Sequence, residues 1–311
     1  MTIEPTPHLT SVEAAAPKLK QVTAGVLEVA YLESGPPDGP VVILLHGFPY
    51  DVHAYDVVVE HLVHAERRCI VPFLRGFGPT RFLSDDMPRS GQQAALGSDL
   101  LALMDALGIH DAVLGGYDWG GRAACIVAAL WPERVRGLVS CNTGYNIQNI
   151  PASHLPIDPY RESQSWYVYY FNTERGRAGL TVNRAALCRL LWRMWSPSWS
   201  FTDEEFARSS AAHENPDFID VVIHSYRHRL AAVPGDPTLE DIERRLAAQP
   251  PITVPSIVLH GEDNALDPPV DSDPSAAKFS GPYERRCLKG VGHNPPQEAP
   301  VDFANAILSL G

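Results

Sequence analysis

The stretch Leu114-Gly115-Gly116-Tyr117-Asp118-Trp119-Gly120-Gly121-Arg122 lies between two apolar runs. The run before it, "HDAVLGG", is nearly continuous in apolar and small residues, the pattern of a strand buried on both faces. The run after it, "GGRAACIVAALWPERV", has the length and alanine content of a helix. Asp118 therefore falls on a strand-to-helix turn with glycine two residues to either side. This is the G-x-S-x-G outline of a nucleophile elbow, with aspartate in the serine position. Small flanking residues permit a sharp turn that projects its central side chain at the carboxyl end of the sheet, where open α/β folds bind ligands. The plainer alternative is that Asp118 only caps the following helix.

Outward from the elbow, strand-like and helical runs alternate. "GVLEVAYLES", "GPVVILLHG" and "RRCIVPF" read as strands, with helices in "AYDVVVEHLVHA" and "GQQAALGSDLLALMDALG". Strand "VRGLVSCNT" follows the elbow helix. Such alternation predicts a mostly parallel sheet flanked by helices. From about residue 146 to 250 the strand signals disappear and Trp, Tyr and Arg crowd helical segments. Alternation then resumes with "PSIVLHG", "YERRCLKG" and a terminal helix "PQEAPVDFANAILSL". The expected organisation is an N-terminal arm over 1–20, an α/β core over 21–145, a helical cap over 146–250, and the rest of the core over 251–311.

Composition narrows the function class. A chain of 311 residues with 45% hydrophobic residues can build a substantial core. Its formal charge of -12, with no basic block, argues against nucleic-acid partners. No apolar run approaches the roughly 20 residues needed to cross a bilayer, and the start lacks a signal-peptide pattern. A cytoplasmic protein is expected, without membrane association; a homo-oligomer is compatible with the sequence. The five cysteines are scattered without C-x-x-C spacing, and four sit in apolar runs as reduced core thiols. No H-E-x-x-H or phosphate-loop pattern occurs, so neither metal nor cofactor is expected.

A carboxylate can act as a nucleophile at neutral pH without a general base. It suits attack on an electrophilic sp³ carbon, which gives an alkyl ester. The elbow Gly116-Tyr117-Asp118-Trp119-Gly120-Gly121 resembles that of the α/β-hydrolase-fold epoxide hydrolases and their haloalkane dehalogenase relatives. The likeness extends over most of the chain from about residue 22. It implies an α/β-hydrolase fold with a cap, a small-molecule epoxide as substrate, a diol as product and no cofactor.

The resemblance also assigns roles. His46-Gly47-Phe48-Pro49 matches H-G-x-P, which places the Phe48 backbone N–H, together with that of Trp119, in an oxyanion hole. His293 in "GVGHNPPQE" is the expected base, last in chain order after nucleophile and acid. The expected acid is Asp263 in "LHGEDNALDPP", with Asp267 as runner-up and Glu262 as a neighbour. Tyr167 in "SWYVYYFNTERG" and Tyr226 in "IHSYRHR" match the two cap tyrosines that hold and protonate the epoxide oxygen. Tyr169 and Tyr170 are read as packing residues. Trp119 and Trp166 are expected to line the substrate site.

Two other readings stay open. Haloalkane dehalogenases share the nucleophile but usually carry Asn where this chain has Phe48; Trp119 and Trp166 would then be the halide donors. Haloacid-type relatives place arginine directly after the nucleophile, where this chain has Trp119 and only Arg122 beyond it. A non-catalytic scaffold would be expected to lack one of Asp118, Asp263 or His293, and all three are present.

Overall fold

The structure, a computed structural model, describes residues 17–311. It begins with two strands, Lys18–Ala24 (β1) and Leu27–Ser34 (β2). Val41–Leu45 (β3), Asp56–His64 (α1), Arg68–Pro72 (β4), Arg81–Phe82 (β5) and Gln93–Ala106 (α2) follow. Ala112–Gly116 (β6), Asp118–Leu130 (α3) and Val135–Cys141 (β7) complete the first part of the core. The helical insertion comprises Pro159–Gln164 (α4), Trp166–Phe171 (α5), Glu174–Val182 (α6), Arg184–Trp195 (α7), Asp203–Ser210 (α8), Phe218–His228 (α9) and Glu240–Ala247 (α10). The sheet resumes with Ser256–Gly261 (β8) and Tyr283–Leu288 (β9), and the chain ends with Pro295–Glu298 (α11) and Pro300–Leu308 (α12).

The strands form one sheet in the order β1-β2-β4-β3-β6-β7-β8-β9, with β5 beside β2. All pairings of β2 are antiparallel and every other pairing is parallel, so the sheet is mostly parallel as the alternation predicts. The elbow strand β6 is central and buried along its whole length, as is β8. That is why both read as uninterrupted apolar runs.

Of the expected N-terminal arm, residues 1–16 lie outside the described residues, while Lys18–Lys20 belong to β1 rather than to an arm. This strand is exposed over nearly its whole length and rich in lysine, so it shows no apolar alternation. Lysine on such an edge blunts pairing with other chains. The expected single C-terminal helix is divided into α11 and α12 at Ala299-Pro300, where Pro300 can donate no backbone N–H.

The cap is seated on the rim of the sheet by buried polar contacts. Trp192 on α7 stacks on Tyr50 at 4.6 Å and donates its indole N–H to the Pro49 carbonyl at 2.9 Å. Asn215 donates to the Thr80 carbonyl at 2.7 Å. Glu243 on α10 accepts from the Ala94 N–H at 3.0 Å and the Gln93 side chain at 3.1 Å, capping α2. Four cysteines are buried and only Cys287 is exposed, all as free thiols. Among the described residues, no helix is long and apolar enough to cross a membrane.

Candidate active site

At the carboxyl end of β6 the chain turns through Asp118 with φ of +50°, a left-handed conformation uncommon for a residue with a side chain. Such strain costs of order 1–3 kcal/mol and persists only where the surroundings fix it. Here the glycines fix it. A Cβ on Gly120 would lie 1.9 Å from the Leu45 carbonyl oxygen, and one on Gly116 would lie 2.6 Å from the Gly120 carbonyl carbon. The elbow helix can thus press against β3 only because both positions lack side chains. Asp118 is the first residue of α3, and its carboxylate is partly accessible.

The segment after β3 meets this carboxylate. The Phe48 backbone N–H donates to Asp118 Oδ1 at 2.8 Å. The Trp119 amide belongs to the first turn of α3, where backbone N–H groups have no intrahelical acceptor. Both expected oxyanion donors therefore border the nucleophile. His46 is structural: its Nε2 accepts from the Leu74 N–H at 3.1 Å, and Nδ1 lies 3.0 Å from the Gly47 carbonyl. Burial lowers its pKa to about 4 and keeps it neutral.

His293 lies across the site, with Nε2 3.9 Å from Asp118 Oδ2 and no hydrogen-bond partner on the protein. Burial lowers its pKa, opposed by the negative charge of Asp118. Its loop is held from three directions. The His293 N–H donates to Ser196 Oγ at 2.8 Å, and Asn142 Nδ2 donates to the His293 carbonyl at 2.9 Å. Glu298 accepts from Ser196 Oγ at 2.7 Å, the Gly292 N–H at 2.6 Å and the Asn294 N–H at 2.9 Å.

The acid expected from sequence is not brought to the imidazole. Asp263 is exposed, and only its backbone N–H is engaged, by the Val291 carbonyl at 2.9 Å. The turn after β8 instead buries the next residue, Asn264, which accepts from the Leu266 N–H at 3.2 Å. The runner-up Asp267 pairs with Arg161 of the cap. The side chain facing His293 Nδ1 is the Asn142 amide, with Nδ2 at 3.5 Å. Asn142, itself at φ of +60°, directly follows β7 and carries no sequence motif that would have singled it out.

The two cap tyrosines pack together in the aromatic cluster that borders Asp118. The Tyr167 and Tyr226 rings lie 5.4 Å apart, and Tyr226 packs 5.4 Å from Phe48 and 6.2 Å from Trp119. Burial raises both phenol pKa values, and the charge of Asp118 raises them further. Both therefore remain protonated at neutral pH. Trp119 is buried in this cluster, and Trp166 is half-buried behind Tyr167, 6.4 Å from that ring and 5.6 Å from Tyr170. Its expected place beside the site is filled by Trp195, at the end of α7. That ring is 5.0 Å from His293 and 5.1 Å from Tyr167, and its buried indole N–H has no partner. Tyr169 is exposed with its hydroxyl on Glu162, whereas Tyr170 packs as expected.

Comparison with known proteins agrees with this architecture. Residues 40–300 match the alpha/beta hydrolase fold family. A Klebsiella pneumoniae protein of known structure, provisionally assigned as an epoxide hydrolase, is 46% identical with a TM-score of 0.91, over 94% of this chain and 97% of that one. Epoxide hydrolase A of Mycobacterium tuberculosis is 25% identical over 95% of this chain and 97% of its own length. A haloalkane dehalogenase variant from Bradyrhizobium elkanii shares the fold, at 24% identity and a TM-score of 0.73 over 94% of this chain and 97% of that one.

Proposed function

Because the chain belongs to the epoxide hydrolase family of the alpha/beta hydrolase fold, we propose that it converts an epoxide and water to a vicinal diol through an ester on Asp118. The observation that carries this reading is the setting of one carboxylate. Asp118 Oδ1 is held by the Phe48 amide, Oδ2 faces His293, and the phenols of Tyr167 and Tyr226, kept protonated by burial, are near enough to feel its charge.

In the first step an Asp118 oxygen attacks a ring carbon from the rear and the carbon–oxygen bond opens. The developing alkoxide takes a proton from Tyr167 or Tyr226, leaving a phenolate and a hydroxyalkyl ester. Esterification also removes the negative charge of Asp118, which had opposed ionisation of both phenols. In the second step His293 Nε2 takes a proton from water, and the hydroxide adds to the ester carbonyl carbon. The Phe48 and Trp119 amides hold the resulting oxyanion, each contributing on the order of 10²–10³-fold. Collapse releases the diol, whose second hydroxyl receives the acid proton, and the imidazolium proton restores the phenol.

The placement of Asp263 removes the carboxylate partner from this scheme. Among the described residues no carboxylate lies within 4.0 Å of His293 Nδ1, and the side chain beside it is the Asn142 amide. In His293→Gln, exposure to an epoxide should leave an adduct on Asp118 detectable by mass spectrometry. An unmodified protein that has nonetheless bound the epoxide would count against the two-step scheme. The partnerless Trp195 N–H favours one second reading, haloalkane dehalogenation, since it could hold a leaving halide. Halide release without diol formation across an epoxide panel would select that reading.

A further inference from the structure

The chain buries two arginines, and they are treated differently. Arg75 is locked to Asp99 by two N–H···O bonds of 2.6 Å, the usual solution for a cation removed from water. Arg122 has no carboxylate within 4.0 Å among the described residues. It lies one helical turn after Asp118 on the same face of α3. Its Nε donates to the Asn146 carbonyl at 3.3 Å.

A second cation stands beside it. Arg229, just after α9, places its guanidinium 5.5 Å from the Tyr226 ring centroid, and it too lacks a carboxylate within 4.0 Å among the described residues. With its amide oxygen turned to them, Gln148 accepts from Arg122 Nη2 at 3.2 Å and from Arg229 Nε at 3.0 Å. One oxygen can therefore bridge both guanidiniums. Arg229 and Gln148 line a cavity of about 330 Å³ that reaches the surface past Leu155, Ile157, Val168 and Leu230. Glu162 also lines it, with its oxygens taken by the Ile157 N–H at 3.2 Å and the Tyr169 hydroxyl. Burial and the charge of Arg229 lower the Arg122 pKa to about 10, while Asp118 raises it.

The carboxylate that acts on Arg122 is thus Asp118 itself, at the start of the same helix. Formation of the ester would neutralise that anion and leave the buried Arg122 uncompensated, beside a second cation, at the moment the intermediate must persist. A negative charge on the substrate removes the difficulty. We propose that Arg122 and Arg229 form a carboxylate-binding subsite, so that the preferred substrates are short epoxides bearing a carboxylate close to the ring. This rests on the epoxide hydrolase reading for its reaction, but the subsite stands on the arginine pair alone.

The test compares oxirane-2-carboxylate with its near-isosteric neutral amide, oxirane-2-carboxamide, using the full chain. The acid should be favoured in kcat/KM by about 10–100-fold, the strength of a charge-assisted contact. Arg229→Gln should bring the ratio of acid to amide close to one. A ratio near one in the unaltered protein overturns the proposal. So does an equal loss on both substrates in Arg229→Gln, which would assign the arginines to the phenols instead. Calorimetry on Asp118→Asn separates binding from reaction: 2,3-dihydroxypropanoate should bind at least 10-fold more tightly than its amide, and equal affinities overturn the subsite. If neither epoxide gives diol but the acid-selective binding holds, the subsite stands and the reaction reading falls. Arginine-dependent release of chloride from 2-chloropropanoate would have the same meaning.

Discussion

The elbow that carries Asp118 and the loop that carries His293 face each other across 3.9 Å, yet they are built in opposite ways. The elbow is local. Gly116, Asp118 and Gly120 lie within five residues, and the partner amide of Phe48 comes from the segment that follows the adjacent strand β3. The histidine loop is tied from a distance by Asn142 after β7 and Ser196 after α7, with Glu298 of the following α11 closing it locally. A nucleophile that must sit in a strained conformation is held by backbone packing that cannot yield. The proposed base, which must accept and return a proton, has its backbone hydrogen-bonded on both sides and its Nε2 unpartnered among the described residues.

The largest effect should come from the local side. Asp118→Asn leaves the fold intact but removes the nucleophile, and turnover should fall by at least about 10⁴-fold in a steady-state diol assay. Survival of more than one per cent of the activity would mean that the elbow is not the reacting element. On the distant side, Glu298→Gln replaces an oxygen that accepts backbone N–H groups with an amide donor. It should cost about 1–3 kcal/mol in urea denaturation and slow ester hydrolysis more than ester formation. Equal slowing of both steps would show that the loop serves more than the base.

The pH profile gives a finer distinction. As the proposed base His293 must be neutral, and burial holds its pKa below the ordinary 6.5. Ester hydrolysis should therefore persist below pH 6.5 and fail only as pH drops through the lowered value. Esterification of Asp118 removes the charge that raises this pKa, so the acidic limb of kcat should lie below that of kcat/KM. Asn142→Asp would place an anion beside Nδ1 and should move both limbs upward; unmoved limbs would show that the amide does not face the ring in solution. The smallest effect is expected for the exposed Asp263. Asp263→Asn should change turnover by less than about threefold, and a loss above 100-fold would mean that the turn after β8 rearranges to bring this carboxylate inward.

These differences also explain what could be read from the chain. The sheet, the cap and the elbow are written in continuous patterns: apolar runs, their alternation with helices, and glycines at fixed offsets. Asp118, Phe48 and His293 were legible because each occupies a recognisable short context. Asp263 was misplaced because three consecutive polar positions follow β8, and only the backbone turn decides that Asn264 rather than Asp263 points inward. Trp166 and Trp195 are both cap tryptophans, and composition cannot tell which one a helix axis turns toward the imidazole. Arg229, Ser196 and Glu298 are single residues on separate elements, and they acquire meaning only when the fold brings them together.

The most direct test of the central claim follows the oxygen. A single turnover in water enriched in oxygen-18, with enzyme in excess, should yield unlabelled diol and place the label on the Asp118 carboxylate. Label in the diol on the first turnover, with Asp118 unlabelled, would show that water attacks the epoxide directly and would contradict the ester mechanism.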